Sequence, residues 1–207
     1  EFTDVRHFAA ETKRMPNFTL HELAHAYHDR VLARGFDNEQ VKAAFDRAAA
    51  GYDAAAVLQR EIGERLVARL DYVKLEPQRI LDLGCGTGFA LPALARRYRA
   101  ATLLGLDLAP AMTRAARERC HPRLPFGLGA RFSRCRFITA DAEALPVASR
   151  SIDLVFSNLA LQWCDPQRAF AECRRVLRPG GLLLFASFGP DTLKELRALS
   201  NVRSVLL

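Results

Sequence analysis

An acid followed by three glycines at alternate positions, Asp82-x-Gly84-x-Gly86-x-Gly88, is the part of this sequence best suited to holding a small ligand. Glycine turns sharply, and it lets a ligand approach the backbone where a Cβ would obstruct it. The spacing is not the G-x-G-x-x-G of dinucleotide sites, and the Gly-Lys-Ser/Thr ending of a phosphate loop is absent. An acid beside the turn suits a ligand carrying an ammonium group better than one carrying a pyrophosphate. A second acid, Asp107, follows the turn by about 20 residues, the separation at which a carboxylate on the next strand accepts both hydrogens of a ribose diol. The two signals are independent and point to one site.

The other constellation is His21-Glu22-Leu23-Ala24-His25, a literal H-E-x-x-H that would set two imidazoles on one helix face, as zinc proteases require. It has no third ligand at a known spacing, and His28 lies only three residues further. An amphipathic or frayed helix end is the better reading, so no metal is expected. No acid–base dyad stands out, and no catalytic residue is named.

The elements that must position these acids alternate. Ile80, Leu81 and Leu83 make a short apolar run, expected of a strand buried on both faces, and Phe89 to Tyr98 reads as a helix. Ala101–Leu106, Arg136–Thr139, Ser151–Asn158 and Leu182–Phe188 read as four more strands. Helices start at Pro110 and at Asp165-Pro166, and Arg178-Pro-Gly-Gly181 reads as a tight turn. Strands alternating with helices predict an α/β fold with a doubly wound parallel sheet. Residues 37–76 read as helices, with Asp37 or Asn38 as first cap, a break at Gly51-Tyr52-Asp53, and a Leu58, Ile62, Leu66, Leu70 stripe. The expected division is an extension over 1–36, a helical lid segment over 37–76 and a core over 77–207.

With these residues in place, the chain resembles the class I S-adenosylmethionine-dependent methyltransferases, whose first motif is D-x-G-x-G-x-G. The segment Ala140-Asp141-Ala142-Glu143-Ala-Leu-Pro146 and the Leu-Arg-Pro-Gly-Gly before the last strand repeat further motifs of that class. The resemblance implies S-adenosylmethionine as cofactor. Asp141 would accept the adenine amino group, and the backbone beside it at Ala142 would address a ring nitrogen. Leu108 would cover an adenine face, and Met112 would reach the same pocket. It also places Asn158, at the fourth strand's tip, among the cofactor residues with Asp82, Asp107 and the three glycines. Ser157-Asn158-Leu159 departs from the Asn-Pro-Pro-Tyr/Phe of base-amino methyltransferases, which argues against flipped-base chemistry. Trp163 reads as core rather than as a substrate contact.

Phe45-Asp-Arg-Ala-Ala-Ala-Gly-Tyr52-Asp53, Ser157-to-Trp163 and Phe188-to-Arg197 narrow the resemblance to the malonyl-carrier-protein O-methyltransferases of biotin synthesis. Tyr52 would there sit over the cofactor as part of a lid. The implied acceptor is a malonyl group on an acidic acyl-carrier protein. Two alternatives stay open: a class I enzyme acting on another small molecule, and a non-methylating respiratory-complex assembly factor that binds the same cofactor. The family sheet has seven strands in the order 3-2-1-4-5-7-6, so the reading here is a core truncated after strand five, with an open, aggregation-prone edge.

Composition agrees. The chain of 207 residues has 50% hydrophobic content and net charge +7. Arginines crowd at 114, 117, 119, 123, 131, 134 and 136, and again at 174, 175 and 178. That balance suits a solvated surface or an acidic partner, with nucleic acid the weaker candidate. No apolar run approaches the roughly 18 residues of a membrane span, and no signal peptide is visible. Five cysteines without a C-x-x-C fit reduced thiols in a cytoplasm. Met15 is a candidate start.

Overall fold

The computed structural model describes residues 39–121 and 134–187. The His21–His28 constellation, the caps at 37 and 38, Arg123, Arg131 and the segment from Phe188 onward lie outside them.

Five parallel strands form one sheet in the order β3-β2-β1-β4-β5. The central strand, β1 (Arg79–Leu83), is buried at every residue after Arg79 because both its faces carry packing layers. Ile80 joins the layer formed with α4 (Leu91–Arg97) and α5 (Pro110–Cys120), whose Leu91, Leu94 and Ala116 are fully covered. Leu81 and Leu83 point to the other side, against Ala169, Cys173 and Val176 of α6 (Pro166–Val176). This alternation is what a period-two strand between two helical layers must show.

β2 (Thr102–Asp107) and β3 (Cys135–Thr139) extend the sheet on one side; β4 (Ile152–Asn158) and β5 (Leu177–Ala186) extend it on the other. Asp165 caps α6, accepting the amides of Gln167 and Arg168, with Pro166 at the first helical position.

Helices α1 (Glu39–Ala48), α2 (Tyr52–Ala55) and α3 (Val57–Ala68) precede the sheet, and a 3₁₀ turn spans Arg69–Tyr72. The expected stripe runs along α3 into the 3₁₀ turn and is progressively covered: Leu58 and Ile62 are half-buried, whereas Leu66 and, in the turn, Leu70 are buried in the core.

One boundary differs. Arg178–Gly181 is not a turn ahead of the last strand, because pairing already begins at Leu177 opposite Ile152 and resumes at Leu182 opposite Leu154. The segment is an excursion within the strand. Gly180 takes φ +77°, and a Cβ on Gly181 would stand 3.0 Å from the Arg178 carbonyl oxygen. The glycines allow the strand to leave and rejoin its partner.

Candidate cofactor site

Because all five strands are parallel, their carboxyl ends share one edge, where open α/β sheets leave a crevice. Two adjoining chambers occupy it, and Tyr52, Gly84, Gly86 and Asn158 line both.

The first chamber is mainly apolar. Leu83 and Leu106 come from the strand tips, Leu108 and Met112 from the segment after β2, and Leu161 and Trp163 from a short 3₁₀ turn after β4. Asp107, Asp141 and Glu143 supply its carboxylates. The second chamber is more polar, lined by Asp82, Thr87, Arg60 and Asp53.

The glycine turn is held by two kinds of bond. The Leu106 carbonyl accepts the amides of Gly84 and Cys85 at 2.8 and 2.9 Å. Asp107 Oδ2 accepts the Gly86 amide at 2.8 Å, and its Oδ1 accepts that of Ala109 at 2.9 Å. All three motif glycines take positive φ, at +71°, +52° and +78°, which L side chains adopt only with strain.

Their surroundings divide them. A Cβ on Gly84 would stand 2.1 Å from the Ala160 Cβ, whereas one on Gly86 would meet no atom of the described residues within 4 Å. Gly86 therefore borders the open space where a ligand fits. Gly88, expected at the cofactor, lines neither chamber. A Cβ there would meet the Ala116 Cα at 3.0 Å, so Gly88 serves the close packing of α5 on the turn.

Asp82 is 2% exposed. Burial, then the nearby charge of Asp107, pushes its pKa up to about 8. Among the described residues its Oδ2 has no hydrogen-bond partner, and neither does Oδ1 of Asn158, which faces the same chamber while its Nδ2 donates to the Gln59 carbonyl at 2.8 Å. Buried acceptors left open are costly. An ammonium group, a pure donor with three N–H bonds, is the chemical complement of such a chamber.

Asp107 is raised too, chiefly by burial, with the Ala109 and Gly86 amides opposing the shift. Tyr52 is pushed up to about 12 by burial and by Asp107 and Asp53, so its phenol stays neutral and can donate. Burial, then Glu143 and Asp141, pushes the Cys164 thiol up to about 12, which excludes it as a nucleophile near neutral pH.

Of the residues expected at the site, Tyr52, Asp82, Gly84, Gly86, Asp107, Leu108, Met112, Asp141, Ala142 and Asn158 line one chamber or both. Asp141 is exposed, and its Oδ1 accepts the Glu143 amide at 2.8 Å. Trp163, read as core, is instead a half-buried wall residue whose ring meets Phe45 edge-on at 5.2 Å. Phe45 and Trp163 lie in segments that carry the resemblance, yet nothing in either segment marks the two rings as partners or as walls of the cleft. Only the folding of α1 over the strand tips brings them together. Among the described residues no group of three or more His, Cys, Asp and Glu could hold a metal, and no helix is long and apolar enough to cross a membrane.

Residues 81–185 match the protein family described as "Methyltransferase domain". A curated malonyl-[acyl-carrier protein] O-methyltransferase of Methylovorus sp. (strain MP688) is 55% identical over 169 residues, covering 80% of this chain and 55% of the relative. That of Nitrosospira multiformis is 48% identical, over 78% of this chain and 55% of the relative. The chain thus spans about half the length of the curated relatives it matches. In fold it resembles a solved SAM-dependent methyltransferase of Aquifex aeolicus, with TM-score 0.55 and 18% identity over 70% of this chain and 77% of that one.

Proposed function

From the premise that the chain belongs to the methyltransferase domain family, we propose that it is an S-adenosylmethionine-dependent O-methyltransferase whose acceptor is the free carboxylate of a malonyl group on an acyl-carrier protein. The observation that carries the cofactor assignment is the pair of open acceptors, Asp82 Oδ2 and Asn158 Oδ1, in a polar chamber beside an apolar one. That division suits a ligand with an amino-acid end and a nucleoside end. The acceptor assignment is supported by the names and identities of the relatives, and it carries the biotin pathway with it.

In this reading Asp82 and Asn158 hold the ammonium group, Asp107 takes the ribose, and Asp141 with the Ala142 backbone takes the adenine. Leu108 and Met112 supply apolar contacts to the ring. S-Adenosylmethionine supplies a methyl group on a sulfonium. The chain's work is positional: its walls align an incoming oxygen with that carbon, and such positioning can provide roughly 7–11 kcal/mol.

A malonyl carboxylate has a pKa of about 4 and is ionised at neutral pH, so no general base is required. The raised pKa values of Tyr52 and Cys164 agree, since neither group is poised to take a proton. Asp107, Asp141 and Glu143 give the apolar chamber a negative potential that favours a sulfonium.

Incubating the chain with purified malonyl carrier protein and methyl-labelled cofactor tests the proposal. Label recovered as the malonyl methyl ester supports it. Cofactor bound with no ester formed rejects this acceptor, and label on another small molecule would identify a different enzyme of the same class.

A further inference from the structure

We infer that Asp53 and Thr87 act as a positioning pair that fastens the Tyr52 segment onto the cofactor cleft; the role in ligand retention rests on the cofactor reading above. The helix carrying Tyr52, α2, has four residues and no side-chain cap, and its most covered side chains, Tyr52 and Ala55, are only half-buried. Isolated helices shorter than about 12 residues are marginal in water, so α2 needs external bonds to hold one position.

Asp53 provides them. Its Oδ1 accepts the Thr87 hydroxyl at 2.6 Å, its Oδ2 pairs with the Arg119 guanidinium on α5, and its carbonyl oxygen accepts Arg60 Nη2 at 2.5 Å. One residue thus ties α2 to the glycine turn, to α5 and to α3.

The three bonds differ in weight. The Asp53–Arg119 pair is about half exposed on the carboxylate side, and such pairs contribute little. Thr87 is 4% exposed and sits between Gly86 and Gly88, so its hydroxyl is a donor fixed in the turn that borders both chambers. A hydrogen bond from a fixed, covered donor to a carboxylate is the stronger kind. Tyr52, the next residue to Asp53, lines both chambers, so what fastens Asp53 also fixes the residue that borders the ligand's space.

The test uses the full chain with two readouts: hydrogen exchange over Tyr52–Ala55 without ligand, and the dissociation rate of S-adenosylhomocysteine. Thr87→Val and Asp53→Ala should each speed exchange in α2 while leaving β1 and β4 protected. Each should also raise the dissociation rate on the order of tenfold, the effect of one hydrogen bond to a charged group. Thr87→Ser, which keeps the hydroxyl, should restore both readouts, and Arg119→Ala should change them little.

Exchange in α2 unchanged by Thr87→Val overturns the inference, as does exchange that rises equally in β1 and β4, which would mean Thr87 merely supports the sheet. If α2 loosens as expected but the wild-type chain does not bind S-adenosylhomocysteine, the fastening stands and the cofactor reading falls. If the wild type binds and the variants release ligand at its rate, the role in retention is overturned and the cofactor reading stands.

Discussion

Asp107 Oδ2 accepts the Gly86 amide at 2.8 Å, joining the tip of β2 to the middle glycine of the turn after β1 across 21 residues. The acid expected to bind a ribose thus already shapes the loop that a ligand must approach. One carboxylate serves both, because each oxygen has a lone pair left after accepting a backbone amide.

Replacing Asp107 by Ala should therefore weaken S-adenosylhomocysteine binding between about tenfold and a hundredfold, the cost of hydrogen bonds to a charged group. Asparagine retains one acceptor and should fall in between. Calorimetric titration decides, and wild-type affinity in the alanine variant would remove Asp107 from the site.

The glycines should separate into two classes. Gly84→Ala forces a Cβ to 2.1 Å from that of Ala160 at φ +71°, and overpacking with left-handed strain should lower stability by about 3 kcal/mol. Gly86→Ala meets no atom of the described residues within 4 Å and carries only the strain, about 1 kcal/mol, yet its methyl group enters the cleft. Urea unfolding with ligand titration on both variants should show lost stability in the first and lost affinity in the second.

Asp82 makes the ligand-free protein pH-sensitive. Its folded pKa of about 8 lies above the ordinary 3.8, so between those values the folded state binds a proton that the unfolded state has released. The favourable contribution is complete below about pH 4 and declines as the pH rises towards 8. Ligand-free stability should fall over that range, and Asp82→Asn should flatten the profile. Docking an ammonium requires the carboxylate, so binding at pH 7 should release a proton. Calorimetry in buffers of different ionisation enthalpy detects that release, which the asparagine variant should lack.

Trp163 is the chain's one tryptophan, and it walls the apolar chamber. Its emission should therefore change when S-adenosylhomocysteine is added, with a midpoint matching the calorimetric Kd. Trp163→Phe preserves an aromatic face for Phe45 and should retain most affinity. Trp163→Ala removes a contact of the kind that contributes about 1 kcal/mol and should lose at least fivefold. Emission insensitive to a ligand that calorimetry shows to bind would place Trp163 away from the site.

The local chemistry of the chain was legible without a structure. Ile80, Leu81 and Leu83 announce a doubly buried strand, Asp82 and the glycines announce a turn open to a ligand, and Asp107 falls where the next strand ends. These are short-range features, in which residue type and spacing fix backbone conformation directly. Tertiary structure alone decided which of the glycines borders the cleft and which the neighbouring helices, because Gly86 and Gly88 share a positive φ and differ in whether Ala116 and Leu91 stand against them. It alone brought Phe45 to Trp163 and Asp53 to Thr87, pairs separated in sequence and joined when the first helices cross the strand tips. Such contacts depend on where whole elements pack, and no local pattern of residues encodes that.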